Sequence, residues 1–313
     1  MPTVVFVFEA TSSNLKESFP FNSKNYFPTY AQFASLASKV GIDVRFSFNH
    51  LYRGSSTFSG AFSIISGKPT WQTEDITAEY IVIRSLTFPE QLDGTEKTLN
   101  KRTIIDAARD KATTYKLFPN YMLPTLELNP SVYRQQLESI PGDMIVCKPR
   151  HGHGGSGIYI GPKADFRLPV DSKEGYILQQ FLDTSHGIPG ITTGIHDLRI
   201  ILSGFEPLSY VRIPKPGTLL ANLSQGGEAR ALSTAEIPES ALHIAREIEA
   251  KLSPDFPHFY CADFLFGPDG KPVLCELNSQ PGFSYNEGEG PAFVSRYHQT
   301  LLKVIQEALA TQE

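Results

Sequence analysis

Residues 261–278 read Cys-Ala-Asp-Phe-Leu-Phe-Gly-Pro-Asp-Gly-Lys-Pro-Val-Leu-Cys-Glu-Leu-Asn, two alternating apolar runs around a Pro-Asp-Gly turn. That pattern predicts an antiparallel hairpin. With Asp269 and Gly270 at the turn, Asp263 falls directly opposite Glu276, and Asn278, two residues on, shares their face. Facing carboxylates on an otherwise apolar hairpin repel unless a cation sits between them. Asp, Glu and Asn oxygens suit Mg2+, which usually keeps several waters and bridges to substrate phosphates. The competing readings are that one carboxylate points to solvent, or that a bulge shifts the register by one residue. On the metal reading, Glu276→Gln or Asp263→Asn abolishes function while thermal stability holds or rises.

A second hairpin is predicted around Gly204-Phe-Glu-Pro207, joining Asp197–Ser203 to Leu208–Ile213. Whichever residues form its loop, Arg199 and Arg212 share one face, opposite or diagonal. Two close guanidinium groups call for an anion between them, carboxylate or phosphate. The alternative is that each arginine pairs with its own surface acid. A third element, Lys148-Pro-Arg-His-Gly-His-Gly-Gly-Ser-Gly157, places a lysine at a strand end before a glycine-rich turn. Such a turn brings backbone N–H groups close to phosphates. It is neither a Walker A sequence nor a Rossmann fingerprint, because Gly157 leads into another strand.

Along the chain, Val4–Phe8, an apolar helical stripe at Tyr30, Phe33, Leu36, Ala37 and Val40, and the run Ile42–Phe48 give a β-α-β order. A strand at Tyr80–Arg84 extends this to an open α/β sheet over residues 1–100. A second unit, 101–185, begins with a helical stretch from Asn100 to Lys116 and contains the glycine-rich loop. A third, 186–313, holds the two hairpins, a helix from Ser240 to Leu252 and a closing helix from about Ala292 to Leu309. The class is therefore α/β, in several lobes with a cleft between them.

The charge balance, −5 from 28 basic and 33 acidic residues, gives no basic field for nucleic acid or anionic lipid. No stretch approaches the roughly 20 apolar residues of a membrane helix, and Val4–Phe8 lacks a basic leader. The three cysteines, Cys147, Cys261 and Cys275, lie in strand-like runs and read as reduced core residues of a cytoplasmic protein. A homo-oligomer is left open.

Taken together, these blocks resemble the ATP-grasp ligases, most closely bacterial glutathione synthetase and more distantly the ribosomal-protein glutamate ligases and D-alanyl-D-alanine ligase. The resemblance is carried by Lys148-Pro-x-x-Gly-x-Gly-Gly155, Ile177-Leu-Gln-Gln-Phe-Leu182, Asp197-Leu-Arg199, Arg212-Ile-Pro with Asn222-Leu-Ser-Gln-Gly-Gly227, and Glu276-Leu-Asn-Ser-Gln-Pro-Gly282. It covers about residues 100–310 in order, behind an N-terminal pre-ATP-grasp α/β domain that matches only in kind. It implies that Lys111 and Lys148 contact ATP phosphates, that the loop with Gly152, Gly154, Gly155 and Ser156 folds over them, and that Gln179, Gln180, Phe181 and Leu182 line the adenine pocket. Asp197 joins this nucleotide set. Asp263, Glu276 and Asn278 would hold magnesium, and Arg199, Arg212 and Asn222 would bind an acyl phosphate. The implied reaction joins a small carboxylate to an amine, amino acids or short peptides, with release of ADP and phosphate.

Two positions depart from the pattern. Gln180 stands where several relatives carry an acid, and Leu220 where an arginine is common. Lys215, between Pro214 and Pro216, is the nearest cation in sequence to replace that arginine, or else a solvated turn lysine. An ATP-grasp phosphotransferase with a stable phosphorylated product, and a nucleotide-binding regulator without turnover, are the alternative functions.

Overall fold

A computed structural model of the chain describes all residues except 86–87, 93, 95, 153, 170–174, 222–225, 255–256, 283–289 and 312–313. In chain order the first part contains β1 (Thr3–Phe8), α1 (Tyr26–Lys39), β2 (Asp43–Phe48), β3 (Tyr52–Gly54), β4 (Thr57–Phe58), β5 (Ala61–Ile65), β6 (Lys68–Gln72), β7 (Ile76–Thr77), β8 (Tyr80–Ile83) and β9 (Thr98–Leu99). Next come α2 (Arg102–Arg109), α3 (Lys111–Leu117), β10 (Thr125–Glu127), α4 (Tyr133–Ser139), β11 (Met144–Pro149), β12 (Tyr159–Pro162) and β13 (Tyr176–Gln180). The last part is β14 (Asp197–Leu202), β15 (Leu208–Ile213), β16 (Glu228–Leu232), α5 (Glu239–Leu252), β17 (Tyr260–Phe266), β18 (Pro272–Asn278) and α6 (Gly290–Ala310).

Three main sheets result. The first has the order β6-β5-β2-β1-β8-β9, with β2, β1, β8 and β9 parallel. Its central strands β1 and β8 are nearly continuous apolar runs because both faces are covered, as parallel sheets require. Val4, Phe6 and Phe8 pack with Tyr30 and Phe33 of α1 and with Tyr297 and Leu301 of α6, while Val5 and Val7 face Ile105 of α2. The β5–β6 hairpin extends this sheet through the pairing of Phe46 with Phe62. Val40, assigned by its spacing to the buried stripe, lies just past α1 and is exposed. The single helical stretch expected from Asn100 to Lys116 is two helices, because Asp110 adopts an extended conformation and caps the second.

The second sheet has the order β10-β13-β11-β12 and the third β16-β15-β14-β17-β18. Ile145 and Cys147 of β11 turn to α4, leaving Val146 and Lys148 on the opposite face. In the third sheet, Leu198 and Ile200 pack on Ala245 and Ile248 of α5, whereas Ile201, Leu208 and Tyr210 join the α6 core. Asp197, Arg199 and Ile201 therefore form one line on the β14 surface, polar at one end and apolar at the other.

Candidate nucleotide and substrate site

The register of β17 and β18 pairs Asp263 with Glu276 and Cys261 with Asn278. Two irregularities combine to give this pairing. The loop is Pro268-Asp269-Gly270, with Gly270 N–H on Gly267 O at 2.9 Å and Gly270 at φ +70°. This three-residue loop has its glycine in the left-handed region, a common hairpin closure. Near the turn Phe264 faces Leu274, one residue off the expected register, and a bulge after Asp263 restores it. In β14–β15, Asp197 pairs with Arg212 and Arg199 with Tyr210, so the two arginines are diagonal.

The positive charge that compensates Asp263 comes from an arginine pair. Arg199 donates Nε to Asp263 Oδ1 at 2.7 Å and Nη2 to Oδ2 at 2.6 Å, and Arg212 Nη2 reaches Oδ2 at 2.7 Å. Arg212 also donates Nε to Asp197 Oδ1 at 2.9 Å. A carboxylate, Asp263, thus lies between the two arginines, as the first reading expects, Arg212 has Asp197 as well, and both acids are buried rather than on the surface. Burial alone would raise Asp263, but Arg199 and Arg212 outweigh it and hold the carboxyl below its ordinary range. Asp197 goes the other way: burial pushes it up, Arg212 opposes, and the Asp263 charge adds to the rise.

Glu276 opens onto a cavity between the face of β11–β13 that carries Val146 and Lys148 and the polar end of β14. Lys111 and Lys148, both buried, line it together with Glu276. Burial lowers the pKa of Lys111, Glu276 raises it, and Lys148 lowers it further. Two close ammonium groups in a partly desolvated cleft are unfavourable without an anion. Lys111 Nζ donates to Gly152 O at 3.1 Å, and Gly154, Gly155 and Ser156 complete that wall. Leu123, Val146, Ile160, Phe181, Leu182 and Leu265 form an apolar slot in the cavity lining. Gln180 lines it too, and Gln179 is fixed by a 2.8 Å bond from Nε2 to Thr125 Oγ1. Asp197 and Arg212 line the cavity as well.

The sequence-derived residues therefore separate into groups. Lys111, Lys148, Gly152, Gly154, Gly155, Ser156, Gln179 to Leu182, Asp197, Arg212 and Glu276 line one cavity, whereas Arg199, Asp263 and Asn278 stand behind its wall. Lys215 is exposed on its turn and does not line the cavity; Leu219, Leu220 and Ala221 take that side. Asn222 lies outside the described residues. The apolar slot residues Leu123, Ile160 and Leu265 were not anticipated. For Ile160 and Leu265, alternation along β12 and β17 was the available signal, but it marks a core face equally well.

Asp263, Glu276 and Asn278 form a compact set of oxygen-bearing side chains. Asn278 Nδ2 lies 3.1 Å from Asp263 Oδ2 and 3.3 Å from Glu276 Oε1, and turning the amide over presents its oxygen instead. Among the described residues no three His, Cys, Asp or Glu side chains cluster to hold a metal. An ion beside Glu276 and Asn278 would need water and substrate oxygens for the rest of its shell, a coordination that suits magnesium.

Residues 111–265, about half of the chain, match the family model for the ATP-grasp domain of prokaryotic glutathione synthetase. The chain belongs to the ATP-grasp family. Glutathione synthetase of Bradyrhizobium diazoefficiens is 28% identical to it over 172 residues, 50% of this chain and 49% of that protein. The chain thus spans about half the length of that curated relative. The ATP-grasp fold extends over the whole chain: D-alanyl-alanine synthetase A of Vibrio cholerae superposes with a TM-score of 0.66 at 14% identity, covering 99% of this chain and 98% of that one. D-alanine-D-alanine ligase of Coxiella burnetii gives 0.63 at 11% identity, covering 99% and 96%. A RiPP-associated ATP-grasp ligase of Chryseobacterium gregarium, in complex with ADP and leader and core peptides, gives 0.59 at 12% identity, covering 100% and 98%.

Proposed function

We propose that the protein is an ATP-dependent carboxylate–amine ligase. The observation that carries this reading is the cavity itself, which brings together Lys111, Lys148 and the glycine-rich loop, an apolar slot, and Arg212 with Glu276. Adenine fills the slot, and the phosphates lie against the two lysines and loop amides. The substrate carboxylate meets the terminal phosphate beside Arg212. A carboxylate oxygen attacks the γ-phosphorus, the bond to ADP breaks, and an acyl phosphate forms. The amine nitrogen then attacks the acyl carbon, phosphate leaves with the electron pair of the broken C–O bond, and the amine loses a proton. Arg212, held from behind by Asp197 and Asp263, is a preorganised donor for the developing charge, and Arg199 fixes Asp263. Glu276 and Asn278 would hold magnesium, with Asp263 joining them only by giving up a hydrogen bond to Arg199 or Arg212, and the ion would neutralise charge on the phosphates.

The carboxylate and amine are small molecules, amino acids or short peptides; the relatives described above are themselves synthetases and ligases. A phosphate-release screen of the purified protein against amino acids and short peptides, taken in pairs, tests the reading. Release that needs both a carboxylate and an amine supports it. Accumulation of a stable phosphorylated product without amine supports a phosphotransferase, and nucleotide binding with no release under any pair supports a regulator.

A further inference from the structure

At the base of the glycine-rich loop one arginine ties three elements together. Arg150, directly after β11, donates Nε and Nη2 to the two oxygens of Asp110 at 3.1 and 2.5 Å, and Nη1 to Glu127 Oε2 on β10 at 2.7 Å. Its backbone is fixed as well. The Arg150 carbonyl accepts from Lys111 N–H at 3.1 Å, and its N–H donates to Gly175 O at 3.1 Å. Gly175 has φ +79°, and a Cβ there would lie 3.3 Å from Arg150 Cδ, so this close approach favours glycine. Asp110 in turn caps α3 by accepting from Ala112 N–H at 3.0 Å and from Thr113 Oγ1 at 3.0 Å. Burial would raise its carboxyl, but Arg150, Ala112 and Thr113 outweigh that and hold it at about 2.

Neither Asp110 nor Arg150 lines the cavity, yet their chain neighbours do. Lys111 follows Asp110, Lys148 and Gly152 flank Arg150 at two residues, and Lys111 Nζ reaches Gly152 O. A bidentate, partly buried arginine–carboxylate pair is among the more rigid side-chain links available. We propose that Asp110 and Arg150 are positioning residues for nucleotide phosphates, a clasp that holds the start of α3 against the loop so that both lysines and the loop amides are set before ATP arrives. Ordering costs that would otherwise fall on binding are met in the free protein. This inference rests on ATP being the ligand of the cavity.

Three variants test it without removing the cap or the fold. Asp110→Asn keeps an oxygen for Ala112 and loses the charge. Arg150→Lys keeps the charge and loses the fork, and Arg150→Met loses both. Calorimetric titration with a non-hydrolysable ATP analogue and magnesium is expected to show affinity lowered about tenfold by Asp110→Asn and by Arg150→Met, with Arg150→Lys between them and wild type. In steady state KM for ATP rises in step, while kcat at saturating ATP stays within about twofold. The double variant is expected to be no weaker than the worse single, as for two residues acting as one unit. Unchanged analogue affinity in both single variants, even with a lowered Tm, would overturn the clasp, as would independent, additive losses in the double. A wild-type protein that binds no ATP analogue would instead overturn the nucleotide reading of the cavity.

Discussion

Arg199 grips Asp263 through two parallel hydrogen bonds, Nε to Oδ1 at 2.7 Å and Nη2 to Oδ2 at 2.6 Å, at a carboxylate with 0% exposure. Asp263 also accepts from Arg212, so one buried charge compensates two guanidinium groups together with Asp197. Glu276, directly across the hairpin, has a side of its own open to the cavity. The two facing carboxylates are therefore not equivalent.

Asp263→Asn is accordingly expected to destabilise the fold by about 3 to 5 kcal/mol, the range for removing one partner of a buried ion pair. This reverses the expectation that neutralising either acid leaves stability unchanged or higher, which overlooked the arginines. Glu276→Gln is expected to shift stability by less than about 1 kcal/mol and still to abolish turnover. Denaturant unfolding of both variants beside activity assays checks the pair; equal destabilisation by the two would contradict the asymmetry.

Lys148 is buried at the end of β11, and its described contacts are a long 3.5 Å approach to Cys275 O and a 4.0 Å approach to Cys275 Sγ. With little to hold it in the free protein, its ammonium is available to phosphate. Lys148→Met is expected to weaken ATP binding by about 1 to 3 kcal/mol, the usual range for losing a charge-assisted bond. Calorimetric affinity equal to wild type would place this lysine outside the phosphate contacts.

Lys215 is expected to be dispensable for rate. Its turn is exposed, and Leu219, Leu220 and Ala221 occupy the adjoining cavity wall. Lys215→Met is predicted to change kcat by less than about twofold, as for surface positions away from the chemistry. A tenfold fall in kcat with unchanged ATP affinity would instead show that this lysine replaces the arginine common at position 220 among relatives.

His298, on the buried face of α6, packs edge-on against Phe33 of α1 with ring centroids 5.7 Å apart, and burial lowers its pKa from 6.5 to about 4. Between these values the unfolded chain binds the proton and the folded one does not, so stability rises with pH across the window. It is complete above pH 6.5 and falls as pH drops toward 4, by on the order of 3 kcal/mol. His298→Gln, neutral throughout, should flatten that slope in denaturant midpoints measured at pH 6.5 and pH 4.5. An unchanged slope would exclude His298 as its source.

Much of this arrangement was legible from local pattern. The Pro-Asp-Gly turn and the alternation of Cys261–Asn278 placed Asp263 opposite Glu276, although the loop is one residue longer than assumed and a bulge compensates. The Gly204 turn likewise brought Arg199 and Arg212 onto one face. What local pattern did not carry was pairing between hairpins: β14 lies next to β17, and that neighbourhood, separated by some sixty residues in sequence, delivers Arg199 to Asp263. Strand order in a sheet is a tertiary property that alternation does not encode. The Asp110–Arg150 clasp was hidden for the same reason, since each residue alone resembles an ordinary helix cap or a loop cation.

The central claim, that a carboxylate is activated as an acyl phosphate in this cavity, is tested most directly by trapping that species. Purified protein is incubated with ATP, magnesium, hydroxylamine and a carboxylate found active in the phosphate-release screen, and hydroxamate is measured. The account predicts hydroxamate formed in step with ADP, dependent on the carboxylate and absent in Glu276→Gln. ADP formation with that carboxylate but no hydroxamate, at hydroxylamine concentrations that trap authentic acyl phosphate, would contradict it.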